Sequence, residues 1–182
     1  KIWKPSQVPS ISIIGKIRVF CFNIVWVTCC AIGSILIVLK WIVTFGTSDT
    51  AIDSYWVETI SAIIVMYTTM GGVKVVGKEN LPELDATPAP VYIANHASQI
   101  DLAAVYLIGR RWKWVSKLEV LLMPGVGSIM LLGQHILIDR RKDKNRGKNG
   151  TSVANMFDKS NAAIQSGTPV FFFPQGTRKV GK

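Results

Sequence analysis

The chain has 182 residues, of which 49% are apolar and 18% are charged, and its mean hydropathy is +0.32. This composition excludes a disordered tail, a collagen-like fibre and a coiled coil. Residues 1–109 carry 7 basic and 7 acidic side chains, whereas residues 110–182 carry 14 basic and 4 acidic ones, so the second part holds the whole net charge of +10. A block this basic predicts an anionic partner: a phosphorylated substrate, acidic lipid headgroups or nucleic acid.

The N-terminal part is dominated by two uncharged apolar runs. The first, residues 19–39, would span roughly 30 Å as a helix, which is the hydrocarbon thickness of a bilayer. The second, residues 59–73, is short for an independent span and predicts either a hairpin partner for the first helix or an amphipathic segment in the interface. Three acidic residues between the runs predict a polar loop: Asp49, Asp53 and Glu58. We therefore expect residues 1–73 to form a membrane-anchoring helical segment.

From residue 74 onwards, strand patterns alternate with helix patterns, which predicts an α/β sheet. Strands are predicted at residues 73–76, 91–94, 112–116, 136–138 and 170–173, and helices at 99–109, 127–132 and 151–166. We expect residues 74–182 to form one α/β domain. The chain begins with Lys1 and its last residues run straight out of a motif, so we expect an excerpt whose domain is truncated at the C-terminus.

The first polar cluster, residues 95–101, reads Asn-His-Ala-Ser-Gln-Ile-Asp and follows a predicted strand, where ligands usually bind in α/β sheets. One interpretation is a general base, because His96 is suited to accept a proton near neutral pH and Asp101 can orient its ring. The alternative is structural. Ser98 and Asp101 match a capping-box pattern, so Asp101 would cap a helix and His96 would be an ordinary loop residue.

The second cluster follows the strand predicted at residues 136–138. Asp139 and Arg140 come directly after it and predict either phosphate binding through paired guanidinium hydrogen bonds or a solvated loop. The basic residues at 142–148 favour a solvated loop or loose attraction to anionic lipid. His135 is expected to be structural.

The third cluster follows the last predicted strand. A Pro-Gln-Gly turn occupies residues 174–176, and Arg178 lies just beyond it. The pattern predicts either an oxyanion or phosphate site or an ordinary turn that ends a strand.

In this order and at these separations, the clusters resemble the motifs of the glycerolipid acyltransferase family that includes the 1-acylglycerol-3-phosphate acyltransferases. The motif NHxxxxD corresponds to residues 95–101, a strand ending in IDR to residues 138–140, and FPEGTR to residues 173–178. Residues 77–82 (GKENLP) and 116–119 (SKLE) match as well. The resemblance covers residues 71–182 and favours the catalytic interpretation of His96.

The resemblance implies acyl transfer from acyl-CoA or acyl-carrier protein to the free sn-2 hydroxyl of lysophosphatidic acid, giving phosphatidic acid. His96, held by Asp101, would be the general base. Arg178 would bind the phosphate of the acceptor, with Arg140 and Lys117 as helpers. Five further residues would form the oxyanion turn and its surroundings: Asn95, Pro174, Gln175, Gly176 and Thr177. The resemblance implies no metal and no cofactor besides the acyl donor.

Two departures from the family pattern affect these expectations. Gln175 stands where the family has Glu, so an acceptor atom is kept but a charge is lost. If that charge orients Arg178, binding of the acceptor should weaken. The family's fourth motif, an apolar segment containing proline, is not present in residues 1–182, and we expect the excerpt alone to be inactive.

Alternative functions remain open on the sequence. One is an acyltransferase for glycerol-3-phosphate or another lysophospholipid, and another is a non-catalytic membrane protein that binds anionic lipid. Nucleic acid is not expected as a partner, because the basic residues cluster in one loop behind a membrane anchor. We expect an integral membrane protein, of the endoplasmic reticulum in the first place, with the plastid envelope and the bacterial inner membrane as alternatives.

Overall fold

The computed structural model describes residues 12–139 and 151–174. The helices are α1 (Ile13–Val43), α2 (Thr50–Met70), α3 (Asp101–Ala104), α4 (Val126–Leu132) and α5 (Thr151–Gln165). The strands are β1 (Val91–Ile93), β2 (Lys113–Lys117), β3 (Ile136–Ile138) and β4 (Val170–Phe172). Short 3₁₀ turns occupy Lys78–Asn80, Val105–Ile108 and Leu118–Leu122.

Helices α1 and α2 pack against each other as a hairpin. The Gly33 backbone lies so close to Val57 that a β-carbon there would collide with the valine side chain. Helix α1 is longer than the predicted run, and it is the one described helix that is long and apolar enough to cross a membrane. Length and composition therefore make α1 compatible with membrane association.

The prediction of a polar loop between the two apolar runs is wrong for Asp53 and Glu58, which lie within α2. Asp49 caps α2 by accepting hydrogen bonds from the amides of Ala51 and Ile52. Asp53 lies in the first helical turn, where a negative charge complements the positive end of the helix. It also pairs with Lys40 at 2.6 Å. Glu58 is buried inside α2, where a partner from the other part of the chain accommodates its charge, as described below.

The four described strands form one parallel sheet in the order β1-β4-β2-β3. Parallel strands require crossover connections, and the helices that the sequence predicts between them supply these. The prediction of an α/β fold that follows an N-terminal apolar helix or helical hairpin is therefore confirmed. Helix α3 continues as a 3₁₀ turn to Gly109, whose φ of 72° ends the helical segment at the predicted residue.

Alternate side chains of the sheet enter two different apolar layers, as the period of a strand requires. Trp114 and Phe171 face the layer that contains α1, α2, α3 and α4. Val170 and Ile136 face α5 on the other side. Phe22, from the N-terminal hairpin, shares the first layer with the sheet residues, so the hairpin and the sheet have a common core.

Two sequence predictions about strands differ from the structure. Residues 71–77, all of them described, form no strand. Their Val-Lys-Val-Val pattern has no neighbouring strand to pair with, and Val76 is exposed. Strand β1 is present, but Val91 and Ile93 are exposed rather than buried, because α5 packs over β3 and β4 on that side of the sheet.

Candidate active site

The predicted polar clusters leave the sheet at a single edge, because all described strands run in the same direction. Ile93 of β1 is paired with Phe172 of β4, so residues 94–96 and 173–174 continue side by side. Lys117, the last residue of β2, is paired with Ile138 of β3. All three clusters therefore begin at the carboxyl edge of the sheet.

His96 and Asp101 are in direct contact at this edge. Nδ1 of the His96 ring lies 3.2 Å from Oδ2 of Asp101. The His96 side chain is only 16% exposed and the Asp101 side chain 30% exposed, so both are partly shielded from water. Since the carboxylate accepts at Nδ1, the other ring nitrogen, Nε2, carries the lone pair of the neutral imidazole.

The same carboxylate oxygen is held by the backbone. Oδ2 of Asp101 accepts hydrogen bonds of 2.8 Å from the amides of Ala97 and Ser98. The hydroxyl of Ser98 accepts from the amide of Ile100 at 3.2 Å. These bonds close the turn that begins α3, and they fix the carboxylate independently of its contact with His96. The capping and catalytic interpretations of Asp101 therefore share one geometry.

The other side of the His96 ring is packed on Phe173. The two rings are stacked, with centroids 4.3 Å apart and planes 20° apart. Phe173 is in turn stacked on Trp114, at a centroid distance of 5.7 Å. Trp114 belongs to the aromatic core below the site. The imidazole is thus positioned by a carboxylate at one edge and by an aromatic face anchored in the core.

The remaining predicted site residues divide into two groups. Asn95 follows β1 and is exposed, Pro174 follows Phe173 and is exposed, and Lys117 is half-buried at the end of β2. Five predicted residues lie outside the described residues: Arg140, Gln175, Gly176, Thr177 and Arg178. Asp139, just before Arg140, donates its amide to the hydroxyl of Ser152 at 2.8 Å.

Sequence reasoning missed a buried polar network behind the site. Nε2 of His135 lies 3.0 Å from Oε1 of Glu58, and the two side chains are only 3% and 7% exposed. Nδ1 of His135 accepts from the backbone amide of Trp114 at 2.9 Å. His135, expected to be structural, precedes β3 and connects that strand to β2 and α2. The sequence contains one signal of this network. Glu58 is adjacent to an apolar helical run, and a charge that such a helix buries requires a partner.

The backbone donor fixes the protonation of this histidine. An amide can only donate, so Nδ1 of His135 carries no proton and Nε2–H donates to the Glu58 carboxylate. Tyr106 belongs to the same network, since its hydroxyl accepts from Nε1 of Trp114 at 2.5 Å. Burial, followed by the nearby charge of Glu58, raises the pKa of Tyr106 well above its usual value.

The described residues contain no group of three or more His, Cys, Asp or Glu side chains that could hold a metal ion. The three cysteines, which lie in α1, are unpaired. The site therefore consists, as far as it is described, of one His–carboxylate pair, one lysine and aromatic packing.

Comparison with known proteins places this sequence in a family. The chain is 33% identical over 108 residues to a 1-acyl-sn-glycerol-3-phosphate acyltransferase of Chlamydomonas reinhardtii, covering 59% of this chain and 30% of the relative. A chloroplastic enzyme of the same name from Arabidopsis thaliana is 31% identical over 106 residues, which is 58% of this chain and 27% of the relative. One from Limnanthes douglasii is 26% identical over 164 residues, which is 87% of this chain and 51% of the relative.

The chain thus spans between 27% and 51% of the length of these relatives. No solved structure matches it. The sequence model of the acyltransferase family matches residues 72–181, which include the whole carboxyl edge of the sheet. The chain belongs to the acyltransferase family.

Proposed function

We propose that the protein transfers a fatty acyl group from an acyl thioester to the free sn-2 hydroxyl of lysophosphatidic acid, giving phosphatidic acid. The single observation that carries this proposal is the His96–Asp101 pair at the carboxyl edge of the sheet. The names of the curated relatives support the choice of acceptor, and acyl-CoA is the expected donor, with acyl-carrier protein as the other candidate.

In the proposed mechanism, Nε2 of His96 removes the proton of the acceptor hydroxyl. The alkoxide oxygen attacks the thioester carbonyl carbon, the carbon–sulfur bond breaks, and the departing thiolate takes up the proton that His96 holds. Asp101 stabilises the imidazolium that forms in between, and its two backbone amide donors keep the carboxylate in place while the charge develops. The thioester is already activated, so no enzyme nucleophile is needed.

The acceptor phosphate would bind beside this pair. Lys117 is at the same edge of the sheet, and Arg140 follows β3, which is paired with the strand that carries Lys117. We propose Arg178 as the main phosphate ligand, with Arg140 and Lys117 as helpers, since guanidinium groups form paired hydrogen bonds with phosphate oxygens.

The developing oxyanion would be stabilised near the turn after β4. Asn95 and Pro174 leave neighbouring strands beside His96, and Gln175, Gly176 and Thr177 continue that turn in the sequence. Backbone amides at such a turn are suited to an oxyanion, because they are donors that need no reorganisation during the reaction.

The exposed apolar surface of the hairpin supports a membrane location for the protein. Large apolar side chains of α1 and α2, among them Phe20, Leu36 and Ile60, are more than half exposed. A contiguous apolar surface of this kind is rare on soluble monomers. A lipid acceptor and product fit this location. We propose an integral membrane protein, with the endoplasmic reticulum or the plastid envelope as its site.

The test uses the complete open reading frame expressed in membranes and supplied with labelled acyl-CoA and lysophosphatidic acid. Wild type is expected to form labelled phosphatidic acid, and His96→Ala is expected to lower the rate by roughly 10²–10⁴-fold. Gln99→Ala, in the same loop, is the matched control and should retain activity. A His96→Ala variant that keeps most of its activity would refute the assignment of the base.

If wild type forms no labelled phosphatidic acid, other substrates must be tested. Glycerol-3-phosphate, other lysophospholipids and acyl-carrier protein would be supplied in turn to identify a different acceptor or donor. If all of them fail and Gln175→Glu restores product, the natural protein is a disabled acyltransferase. If Gln175→Glu is silent too, the proposed function is wrong.

A further inference from the structure

A cationic cleft lies at the edge of the sheet opposite to His96, where the strands begin. Its volume is about 500 Å³. Lys113 is the first residue of β2, and Thr168 precedes β4, so the cleft is separated from His96 by the length of the strands. The residues that matter for its chemistry are Trp41, Ser48, Asp49, Arg111, Lys113 and Thr168. We call it the basal cleft.

Two half-buried cations face this cleft without a matching set of anions. Among the described residues, the side chains of Arg111 and Lys113 form no ion pair and no hydrogen bond. Burial, followed by the charge of Arg111, lowers the pKa of Lys113, while Asp49 acts in the opposite direction. With one carboxylate against two cations, the basal cleft keeps an excess of positive charge that an anion would neutralise.

The basal cleft also holds a hydrogen-bond donor without an acceptor. The hydroxyl oxygen of Ser48 is buried and has no hydrogen-bond partner. The amides of Ala51 and Ile52 at the start of α2 are already bound to the carboxylate of Asp49. The groups left to bind a ligand are therefore a guanidinium, an ammonium and a hydroxyl, rather than the end of the helix.

We propose that the basal cleft binds a phosphate group through Arg111, Lys113 and Ser48. A guanidinium forms two parallel hydrogen bonds with a phosphate, an ammonium adds a point charge, and a hydroxyl satisfies a further oxygen. The site is distinct from the acyl-transfer site, and the proposal does not depend on the proposed function.

Two sources can supply this phosphate, a free phosphate compound or the headgroup of an anionic lipid. A neighbouring cleft shares Lys113 and Gln134 with the basal cleft and continues along apolar side chains that include Met130 and Leu131. Trp41 lies near the C-terminal end of the apolar helix α1, and tryptophan is enriched at membrane–water interfaces. Both features favour the lipid headgroup.

The experiment measures thermal unfolding of the complete protein in neutral detergent. The probes are inorganic phosphate, short-chain phosphatidylglycerol, and chloride at equal ionic strength. A bound probe at about ten times its Kd should raise the Tm of wild type by about 3–6 °C. Arg111→Gln/Lys113→Gln should abolish this rise, whereas Lys74→Gln/Lys78→Gln, with the same change in net charge on exposed residues, should retain it.

The outcomes separate the two sources and the failure of the proposal. A rise with phosphate and with lipid supports a site open to free phosphate, and a rise with lipid alone supports a headgroup site. An equal rise in wild type and in Arg111→Gln/Lys113→Gln would locate the anion elsewhere and overturn the proposal. Absence of any rise in wild type would overturn it as well.

A measurement on wild type alone covers the case in which the double variant does not fold. The acylation rate of each lysine by an amine-reactive reagent is followed by mass spectrometry. At about ten times the Kd of the probe, Lys113 should react about tenfold more slowly, while Lys74 should react at an unchanged rate. Equal rates at Lys113 with and without probe would overturn the proposal.

Discussion

The buried contact between Glu58 and His135 allows a quantitative test of how the hairpin is joined to the sheet. Glu58 comes from α2 and His135 from the start of β3, and Nε2–H of the histidine donates to the carboxylate at 3.0 Å. Glu58→Gln keeps an acceptor oxygen and removes the charge. Glu58→Ala removes the acceptor and leaves a buried donor without a partner.

Glu58→Ala is expected to lower the free energy of unfolding more than Glu58→Gln. A hydrogen bond to a charged group is worth about 1.5–3 kcal/mol and a neutral one about 0.5–1.5 kcal/mol, so Glu58→Gln should cost about 1 kcal/mol. Leaving the neutral Nε2–H of His135 buried without an acceptor costs about 1–3 kcal/mol, and the cavity left by the shortened side chain adds to this cost. At about 2–4 °C per kcal/mol, the Tm should fall by roughly 2–4 °C for Glu58→Gln and by roughly 2–12 °C, plus the cavity contribution, for Glu58→Ala.

The assay is thermal unfolding of the complete protein in neutral detergent, followed by tryptophan fluorescence because Trp114 contacts the network directly. Glu79→Gln and Glu79→Ala are the matched controls, since Glu79 is exposed, and each should change stability by less than about 0.5 kcal/mol. If Glu58→Ala were no more destabilised than Glu79→Ala, the network would not join the hairpin to the sheet. If Glu58→Gln lost as much stability as Glu58→Ala, the assigned protonation of His135 would be wrong.

Three further predictions concern the site, the packing of α4 and the effect of pH. Asp101→Asn exchanges a charge-assisted hydrogen bond for a neutral one, so kcat for acyl transfer should fall about tenfold, and an unchanged kcat would exclude the carboxylate from the mechanism. Gly125→Ala should lower the Tm more than Gly109→Ala in the same unfolding assay. Both glycines have positive φ, but only at Gly125 would the new β-carbon meet a backbone, 2.6 Å from the amide nitrogen of Ala31. Because the pKa of Tyr106 is raised, the unfolded chain releases this proton first, so its contribution to stability is complete below about pH 10 and declines above it. Tyr106→Phe should therefore make the loss of Tm above about pH 10 shallower than in wild type.

The sequence predicted the elements that have strong local signals. The strand at residues 136–138 and the helix that ends before Gly167 are present, because apolar runs of strand length and amphipathic spacing determine local structure directly. The prediction of a strand at residues 73–76 was wrong because a local pattern is not sufficient for a strand. Four residues of suitable type form no strand unless the fold brings a neighbour to pair with them.

The buried network could not be predicted from the sequence, because Glu58 and His135 are 77 residues apart. Glu58 alone suggests a polar loop, and His135 alone suggests a structural histidine. Only the packing of α2 over the sheet brings them together, and that packing depends on the shared aromatic core rather than on either residue. The location of Glu58 was therefore predicted wrongly, although its residue type already required a partner once it was buried.

Asp101 shows why the two interpretations of the first cluster did not exclude each other. A carboxylate that orients a histidine must itself be fixed, because a mobile carboxylate would accept hydrogen bonds from water instead of from the imidazole. The amide of Ser98 fixes it by the bond that a capping box would use, and the amide of Ala97 adds a second bond. The capping pattern is then part of the preorganisation that a general base requires, and the spacing of five residues between His96 and Asp101 is the length of one such turn. A substitution that breaks the turn while keeping both side chains should impair catalysis as a substitution of Asp101 does.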